Sequence, residues 1–240
     1  MDKGYTIPIL GQGHVRYIDH LGDDLRIVET ARISYKSPSK GDDADKKLLF
    51  YLFKNRHTSP FEACNITFNI KMPIFCMRQF VRHRTMRLNE WSGRYSELAD
   101  EFYTPAVWRV QDVKNKQGSL LPGQHDFLRT EEEIDFWHEE NTRIAQDAFR
   151  GAYKVYQQLL ERNVAKELAR IVLPVSLFTE IYCNVDVHNL MHFLNLRQDP
   201  HAQLEMREIA NAMELIFKDL FPWCAEARSK FKFKVEEMPD

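Results

Sequence analysis

Ile66-Thr-Phe-Asn-Ile-Lys-Met72-Pro73-Ile-Phe-Cys-Met-Arg78-Gln-Phe-Val-Arg82-His83-Arg84 is the stretch whose reading sets the fold class. Over 66–72 apolar and polar residues alternate strictly. Successive side chains on a strand point to opposite faces, so the alternation predicts a half-buried β-strand. Pro73 suits the first helical position, where its missing N–H would have no partner anyway, and the spacing predicts a helix from Pro73 to about Arg84. Working upstream, His14-Val-Arg-Tyr-Ile-Asp19 predicts a first strand. Asp23 and Asp24 lead into a helical pattern ending at Arg32, as acidic side chains favour a helix N-terminus. Ser37 to Asp43 reads as a loop, and Asp45 to Arg56 as a helix with Leu48, Leu49, Leu52 and Phe53 on one face. Downstream, Gly93 to Leu121 has poor periodicity and reads as irregular, partly strand. Thr130-Glu-Glu-Glu133 is a capping box opening a helix to about Glu161. A helix over Val164–Leu173 stops at Pro174, and Leu177–Cys183 is strand-like. Asp186 caps a helix to Leu196, and Pro200–Leu220 is amphipathic through Met206, Ile209, Ala210, Met213, Phe217 and Leu220. The sum is an α+β protein with more helix than strand, a mixed or antiparallel sheet and a bundle-like helical portion.

The chain has 240 residues, within reach of one substantial domain. Lys plus Arg number 33 against 35 Asp plus Glu, a formal charge of −2, where a nucleic-acid binder would show a basic excess. No apolar run approaches a membrane span, and Met1 to Gly13 has no signal-peptide pattern. Cys64, Cys76, Cys183 and Cys224 are scattered without C-x-x-C, which reads as reduced thiols in a cytoplasmic protein. Neither G-x-G-x-x-G nor a P-loop occurs, so the two common nucleotide-holding loops are absent.

The densest unusual stretch runs from Arg78 to Tyr95. Arg78, Arg82, His83, Arg84, Arg87 and Arg94 crowd into it, interleaved with Phe80, Val81, Leu88 and Trp91. On a helix Arg78 and Arg82 would share a face, where like charges repel unless an anion lies between them. Arginine suits phosphate because its planar fork gives paired, charge-assisted bonds. Ser92-Gly93-Arg94 adds a hydroxyl, a residue without Cβ to block a close anion, and another guanidinium. Arg170, between Ala169 and Ile171 on a helix that also carries Leu168 and Val172, reads as semi-buried and salt-bridged. His57-Thr-Ser59-Pro-Phe-Glu62 is a polar turn whose hydroxyls could meet phosphate. No cysteine sits among cations in a way that marks a nucleophile, and Ser92 lacks a nucleophile elbow. Two further readings stay open on the residues alone. One is a nucleic-acid binding module using Arg78–Arg94 on phosphates and Trp91 or Tyr95 for stacking. The other is a metal-dependent hydrolase on His188 and His192, spaced like two ligands on one helix face but lacking the H-E-x-x-H glutamate.

Arg82-His83-Arg84, seven residues, then Ser92 resembles the R-H-R-x7-S signature of the flavin-dependent thymidylate synthases. His57–Glu62, Arg78–Arg82, Glu90–Ser96, Ala169–Pro174, Phe193–Arg197 and His201–Gln203 also resemble family segments, in order, from about Val15 to Trp223. The resemblance implies one domain over 1–240, with its core at about 15–223 and a tail at 224–240, assembling as a homotetramer with sites at subunit interfaces. It implies reductive methylation of dUMP to dTMP, with FAD as cofactor and NADPH and 5,10-methylenetetrahydrofolate as co-substrates, and no enzymic cysteine on the uracil. Position by position, Arg82, His83 and Arg84 would face FAD, with Ser59 on its phosphates and Glu90 near both ligands. Gln79, Arg82, Ser92, Gly93, Arg94 and Arg170 would hold the dUMP phosphate and sugar, with Phe80, Val81 and Trp91 as chain neighbours. Arg197 would lie against the uracil as the catalytic group, raising electron density at C5. His201 matches a common family histidine. Further FAD contacts would fall at Asp186, Val187, His188 and His192, where the chain departs from the family. Many members have Asn-x-Arg with a further Asn four positions on; histidine keeps hydrogen bonding and stacking but loses a fixed cation.

Overall fold

The computed structural model describes residues 1–116, 118–124 and 130–231. Its spine is a five-stranded sheet built from β1 (Thr6–Ile9), β2 (Gly13–Leu21), β3 (Asn65–Pro73), β4 (Arg87–Glu90) and β7 (Phe178–Asp186), in the order β1-β2-β3-β7-β4. Every pairing in it is antiparallel, so of the two sheet types allowed by the sequence the antiparallel one is realised. The alternation of 66–72 is what polarises this sheet. Ile66, Phe68, Ile70 and Met72 are fully buried, and the register sets Phe68 opposite Tyr17 on one side and Cys183 on the other. Asn65, Thr67 and Lys71 point to the opposite, polar face. Burying a side chain such as Phe68 contributes about 2–3 kcal/mol, and a one-residue slip would lose that along the whole strand. Between Tyr17 and Asp19 the β2–β3 register shifts, leaving Ile18 as a bulge.

Helices cover the apolar face: α1 (Asp24–Arg32), α2 (Asp42–Lys54), α3 (Ile74–Phe80), α6 (Val187–Arg197), α7 (Leu204–Leu220) and α8 (Pro222–Lys230). Asp23 caps α1 by accepting from the Arg26 N–H at 2.8 Å, and Asp186 caps α6 by accepting from the Asn189 N–H at 2.8 Å. Asp24, 5% exposed, accepts from the N–H groups of Trp223 at 2.7 Å and Cys224 at 3.1 Å, pinning the start of α8 to α1. Residues 224–230, expected as the start of a tail, thus belong to a helix whose Cys224, Ala225 and Ala227 are buried in the core. The rest of that tail lies outside the described residues.

The long helix α4 (Glu131–Glu161) begins at the expected capping box, with Thr130 accepting from the Glu133 N–H at 3.2 Å and Glu133 from the Thr130 N–H at 3.1 Å. Tyr156 is its only buried residue, while Phe136 and Ile144 are 69% and 55% exposed. Ahead of it a short hairpin of β5 (Val110–Gln111) and β6 (Ser119–Leu120) interrupts irregular chain.

Three expected elements differ. The helix after Pro73 ends at Phe80, so Arg82–Arg84 lie in turns and Arg78 and Arg82 share no helix face. The helix expected over Val164–Leu173 is one α-turn, α5 (Lys166–Ala169), followed by a 3-10 turn over Arg170–Val172. The expected Pro200 helix starts only at Leu204. Strands β1 and β4 had no counterpart in the sequence reading.

Candidate active site

Two groups of the expected residues come together in the chain. The first gathers where the end of α3 meets the last turn of α6. Arg197 donates from Nε to His83 Nε2 at 2.8 Å, and Phe193 meets the His83 ring edge-on at 4.8 Å between centroids. The guanidinium N–H can only donate, so His83 is held neutral with its proton on Nδ1. Burial, reinforced by the charges of Arg197 and His192, pushes its pKa down to about 4. Among the described residues Arg197 makes no other hydrogen bond, which leaves both terminal nitrogens for a ligand. Beside this pair a cavity of about 140 Å³ opens between α2, α6 and the turn Ser59–Ala63. Leu52, Phe53, Phe61 and Met191 form its apolar wall, and Arg56, His57, Thr58, His188 and His192 its polar rim. Burial and the neighbouring His188 lower the His192 pKa.

The second group lies at the free edge of the sheet, where β4 runs into its loop. Glu90 accepts from Thr179 Oγ1 at 2.7 Å and faces a cavity of about 490 Å³ shared with Asn69, Lys71, Trp91, Glu101 and Tyr182. Ser92 Oγ accepts from the Arg94 N–H at 3.3 Å, shaping the following turn, and Arg94 pairs with Glu167 at 3.3 Å on the surface. No described hydrogen bond or ion pair joins the two groups. Four guanidiniums, those of Arg78, Arg82, Arg84 and Arg170, are exposed and have no ion pair among the described residues, in a chain with 35 acidic side chains. Arg170, expected to be semi-buried and salt-bridged, is instead exposed because α5 is too short to pack it inward. Its neighbours Leu168 and Ile171 are exposed as well, at 57% and 75%.

Several expected contacts are narrowed by packing. Phe80 and Val187 are fully buried, so only their main chain could reach a ligand. Asp186 spends its carboxylate on the Asn189 N–H and on Asn189 Nδ2, the latter at 2.7 Å. At Gly93 a Cβ would meet Leu98 Cδ1 at 2.9 Å, so glycine there is explained by close packing of Leu98 rather than by room for an anion. His201 is exposed and held by Asp199 at 2.9 Å. The four cysteines are buried and unpaired; burial raises Cys64 to about 11, Cys183 to about 12 and Cys76 higher still. None is an activated thiol.

A family model described as thymidylate synthase complementing protein matches residues 16–223. A flavin-dependent thymidylate synthase from Kosmotoga olearia is 43% identical over 227 residues, spanning 95% of this chain and 94% of its own length. One from Thermus thermophilus is 44% identical, spanning 94% of this chain and 79% of its own length. The chain belongs to the flavin-dependent thymidylate synthase family. Among solved structures, the UMP/dUMP methylase PolB from Streptomyces cacaoi, bound with 5-Br dUMP, superposes with a TM-score of 0.80 at 32% identity, over 91% of this chain and 95% of that one.

Membership in the flavin-dependent thymidylate synthase family displaces the other two readings. The basic stretch Arg78–Arg94 lies within the residues that the family model matches, which removes the motive for a nucleic-acid module. His188 and His192 sit on a cavity wall, and among the described residues no group of three His, Cys, Asp or Glu could hold a metal. A flavin dinucleotide suits the residues present. Its diphosphate needs cations, and Arg82 and Arg84 are exposed with no ion pair among the described residues; its flat rings need an apolar slot with hydrogen-bonding edges, which the cavity at His57, Phe61, His188 and His192 offers.

Proposed function

We propose that this chain converts dUMP to dTMP by reductive methylation, drawing the carbon from 5,10-methylenetetrahydrofolate and the reducing equivalents from NADPH through FAD. The observation that carries this reading is the set of exposed guanidiniums, Arg78, Arg82, Arg84 and Arg170, with no ion pair among the described residues, together with the two terminal nitrogens that Arg197 keeps free of hydrogen bonds there. The transferred carbon arrives as a methylene and leaves as a methyl, so the reaction needs a hydride, which is the chemistry bound FAD supplies. The protein's part is to hold, orient and polarise. Arg82, Ser92, Arg94 and Arg170 take the dUMP phosphate, with the main chain of Phe80, Val81, Trp91 and Gly93 closing around it, and Gln79 takes the sugar. Arg197, its Nε anchored by neutral His83, sets its remaining N–H groups against the uracil. A fixed guanidinium there favours the N3-deprotonated, enolate-like form and so the nucleophilicity of C5, with no thiol required. Arg82, His83, Arg84, Ser59, Glu90, His188 and His192 hold the cofactor, with main-chain help from Asp186 and Val187.

The active unit is a homotetramer whose subunit interfaces bring the two groups of site residues together. Its support is the exposed apolar surface of Phe136, Ile144, Leu168 and Ile171, which flanks the edge group and α4. A cytoplasmic setting fits this reading, and its support is the four unpaired cysteines. The test is dTMP formation from dUMP, methylenetetrahydrofolate and NADPH with and without added FAD, with UMP run in parallel and the assembly weighed by light scattering. FAD-dependent dTMP from a tetramer is expected. No product from folded, flavin-loaded protein would overturn the proposal.

A further inference from the structure

Glu205 opens α7 and is only 2% exposed, yet it carries a carboxylate. Arg109 Nη2 reaches both its oxygens, at 2.8 and 2.9 Å, the Tyr103 hydroxyl donates to Oε1 at 3.0 Å, and Gln203 Nε2 donates to Oε2 at 2.9 Å. These donors hold the acid below the usual carboxylate range against the opposing effect of burial. Gln203 is the residue before the first turn of α7, its carbonyl accepting from the Arg207 N–H at 3.0 Å, so its backbone is fixed. Its own Oε1 accepts from Gln79 Nε2. Gln79 and Gln203 lie 124 positions apart in sequence.

The polarity of this chain of contacts is dictated at its buried end. An ionised carboxylate only accepts, so Gln203 must turn its NH2 toward Glu205 and its oxygen toward Gln79. Gln79 must then turn its NH2 toward Gln203, which leaves its Oε1 as the outward-facing acceptor. Were the Glu205 end neutral or missing, either amide could flip and Gln79 would present donor and acceptor at random.

We infer that Arg109, Tyr103, Glu205 and Gln203 form a positioning relay that fixes the side-chain amide of Gln79, so that Gln79 reads a hydrogen-bond donor on the nucleotide, its 3′-hydroxyl. The inference rests on the proposed dUMP substrate. In dUMP the phosphate and the ring carbonyls only accept, and the donors are the 3′-hydroxyl and N3–H. Arg197 set against the uracil favours the form in which N3 has lost its proton, so the sugar hydroxyl is the donor left. The relay residues touch no ligand themselves; they act through Gln79.

The test compares binding of dUMP and of its 3′-deoxy analogue to the flavin-loaded protein and to Gln203→Leu, which cuts the relay but leaves Arg109 and Tyr103 on Glu205. In the unaltered protein the analogue binds about tenfold more weakly, as expected for one hydrogen bond lost from a preset acceptor. In Gln203→Leu that ratio falls below about threefold, KM for dUMP rises by about five- to tenfold and kcat changes less than about twofold. Gln203→Asn, which keeps an amide too short to span both bonds, behaves alike and guards against a packing artefact of leucine. A merely structural role would weaken both ligands together and leave their ratio unchanged. An unchanged ratio in both variants, with tight dUMP binding by the unaltered protein, overturns the relay alone. Failure of the unaltered protein to bind dUMP overturns the substrate reading and the relay with it.

Discussion

Arg197→Lys is the substitution on which the proposed chemistry turns. The wild-type side chain divides its donors: Nε goes to His83 at 2.8 Å, and both terminal nitrogens remain for the ligand. Lysine keeps the charge but carries one nitrogen on a flexible stem, so it cannot hold His83 and also present a planar pair of donors. At least one charge-assisted hydrogen bond is lost, which costs about 1.5–3 kcal/mol, or roughly tenfold to 150-fold in dUMP affinity. Turnover falls further, because a preorganised donor facing developing negative charge is worth about 100- to 1,000-fold in kcat. Folding should be nearly untouched. Arg197 is half-buried at the end of α6, where either cation suits the helix C-terminus, and burial already works against its charge. The assay is dTMP formation alongside isothermal titration with dUMP, with flavin content and Tm as controls. A folded, yellow variant with wild-type affinity and turnover would refute the role given to Arg197.

Three further outcomes follow from the same geometry. His83 has a folded pKa of about 4, below the roughly 6.5 of an unfolded histidine, so the unfolded chain binds the extra proton between those values. Its contribution is therefore full above about pH 6.5 and lost as pH falls toward about 4, and in urea titrations His83→Gln should shrink the stability difference between pH 7 and pH 5; an unchanged difference would contradict the buried neutral imidazole. Arg32, 8% exposed, donates to fully buried Asp45, so Arg32→Ala leaves that carboxylate without its countercharge, held only by Ser39 Oγ and the Lys40 N–H, and should cost about 2–4 kcal/mol by chemical denaturation; a loss under about 1 kcal/mol would mean that the site readily admits water. His188→Arg adds a fixed cation on the polar rim of the His57–His192 cavity and should tighten FAD about five- to tenfold by flavin-fluorescence titration; equal or weaker binding would show that this position does not face the cofactor.

The parts of the fold that were legible in sequence are those specified by local chemistry. The 66–72 alternation reports a sheet with one buried face, and the box at Thr130 and Glu133 reports a helix start to the residue. The failures occur where tertiary contacts overrule local pattern. Beyond Phe80 the apolar spacing continues, but the chain turns back to lay β4 against β7, and nothing in Arg87–Glu90 alone announces an edge strand four residues long. Pro174 marks a stop, yet the stretch before it holds only one α-turn and a 3-10 turn, and its Leu168 and Ile171 are exposed, with no core among the described residues to pack on.

The same division explains what could be read of the site. Arginine density and the Ser-Gly-Arg turn are visible in sequence because they are contiguous, and they point to an anion whatever the fold does. The pairing of His83 with Arg197, 114 residues apart, and of Gln79 with Gln203 has no local signature; it exists only because α3, α6 and α7 pack together on the apolar face of the sheet. That origin gives these contacts their value. A guanidinium or amide on a loop could meet a nucleotide in many orientations, whereas one locked to a partner on a core helix can meet it in few, and catalysis without a covalent enzyme nucleophile depends on such fixed geometry. The exposed Arg82, Arg84 and Arg170 have no such locking partner among the described residues. Their order must come from bound anions or from a neighbouring subunit of the proposed homotetramer, and on the latter reading a variant that stays monomeric should form no dTMP while keeping the His83–Arg197 pair intact.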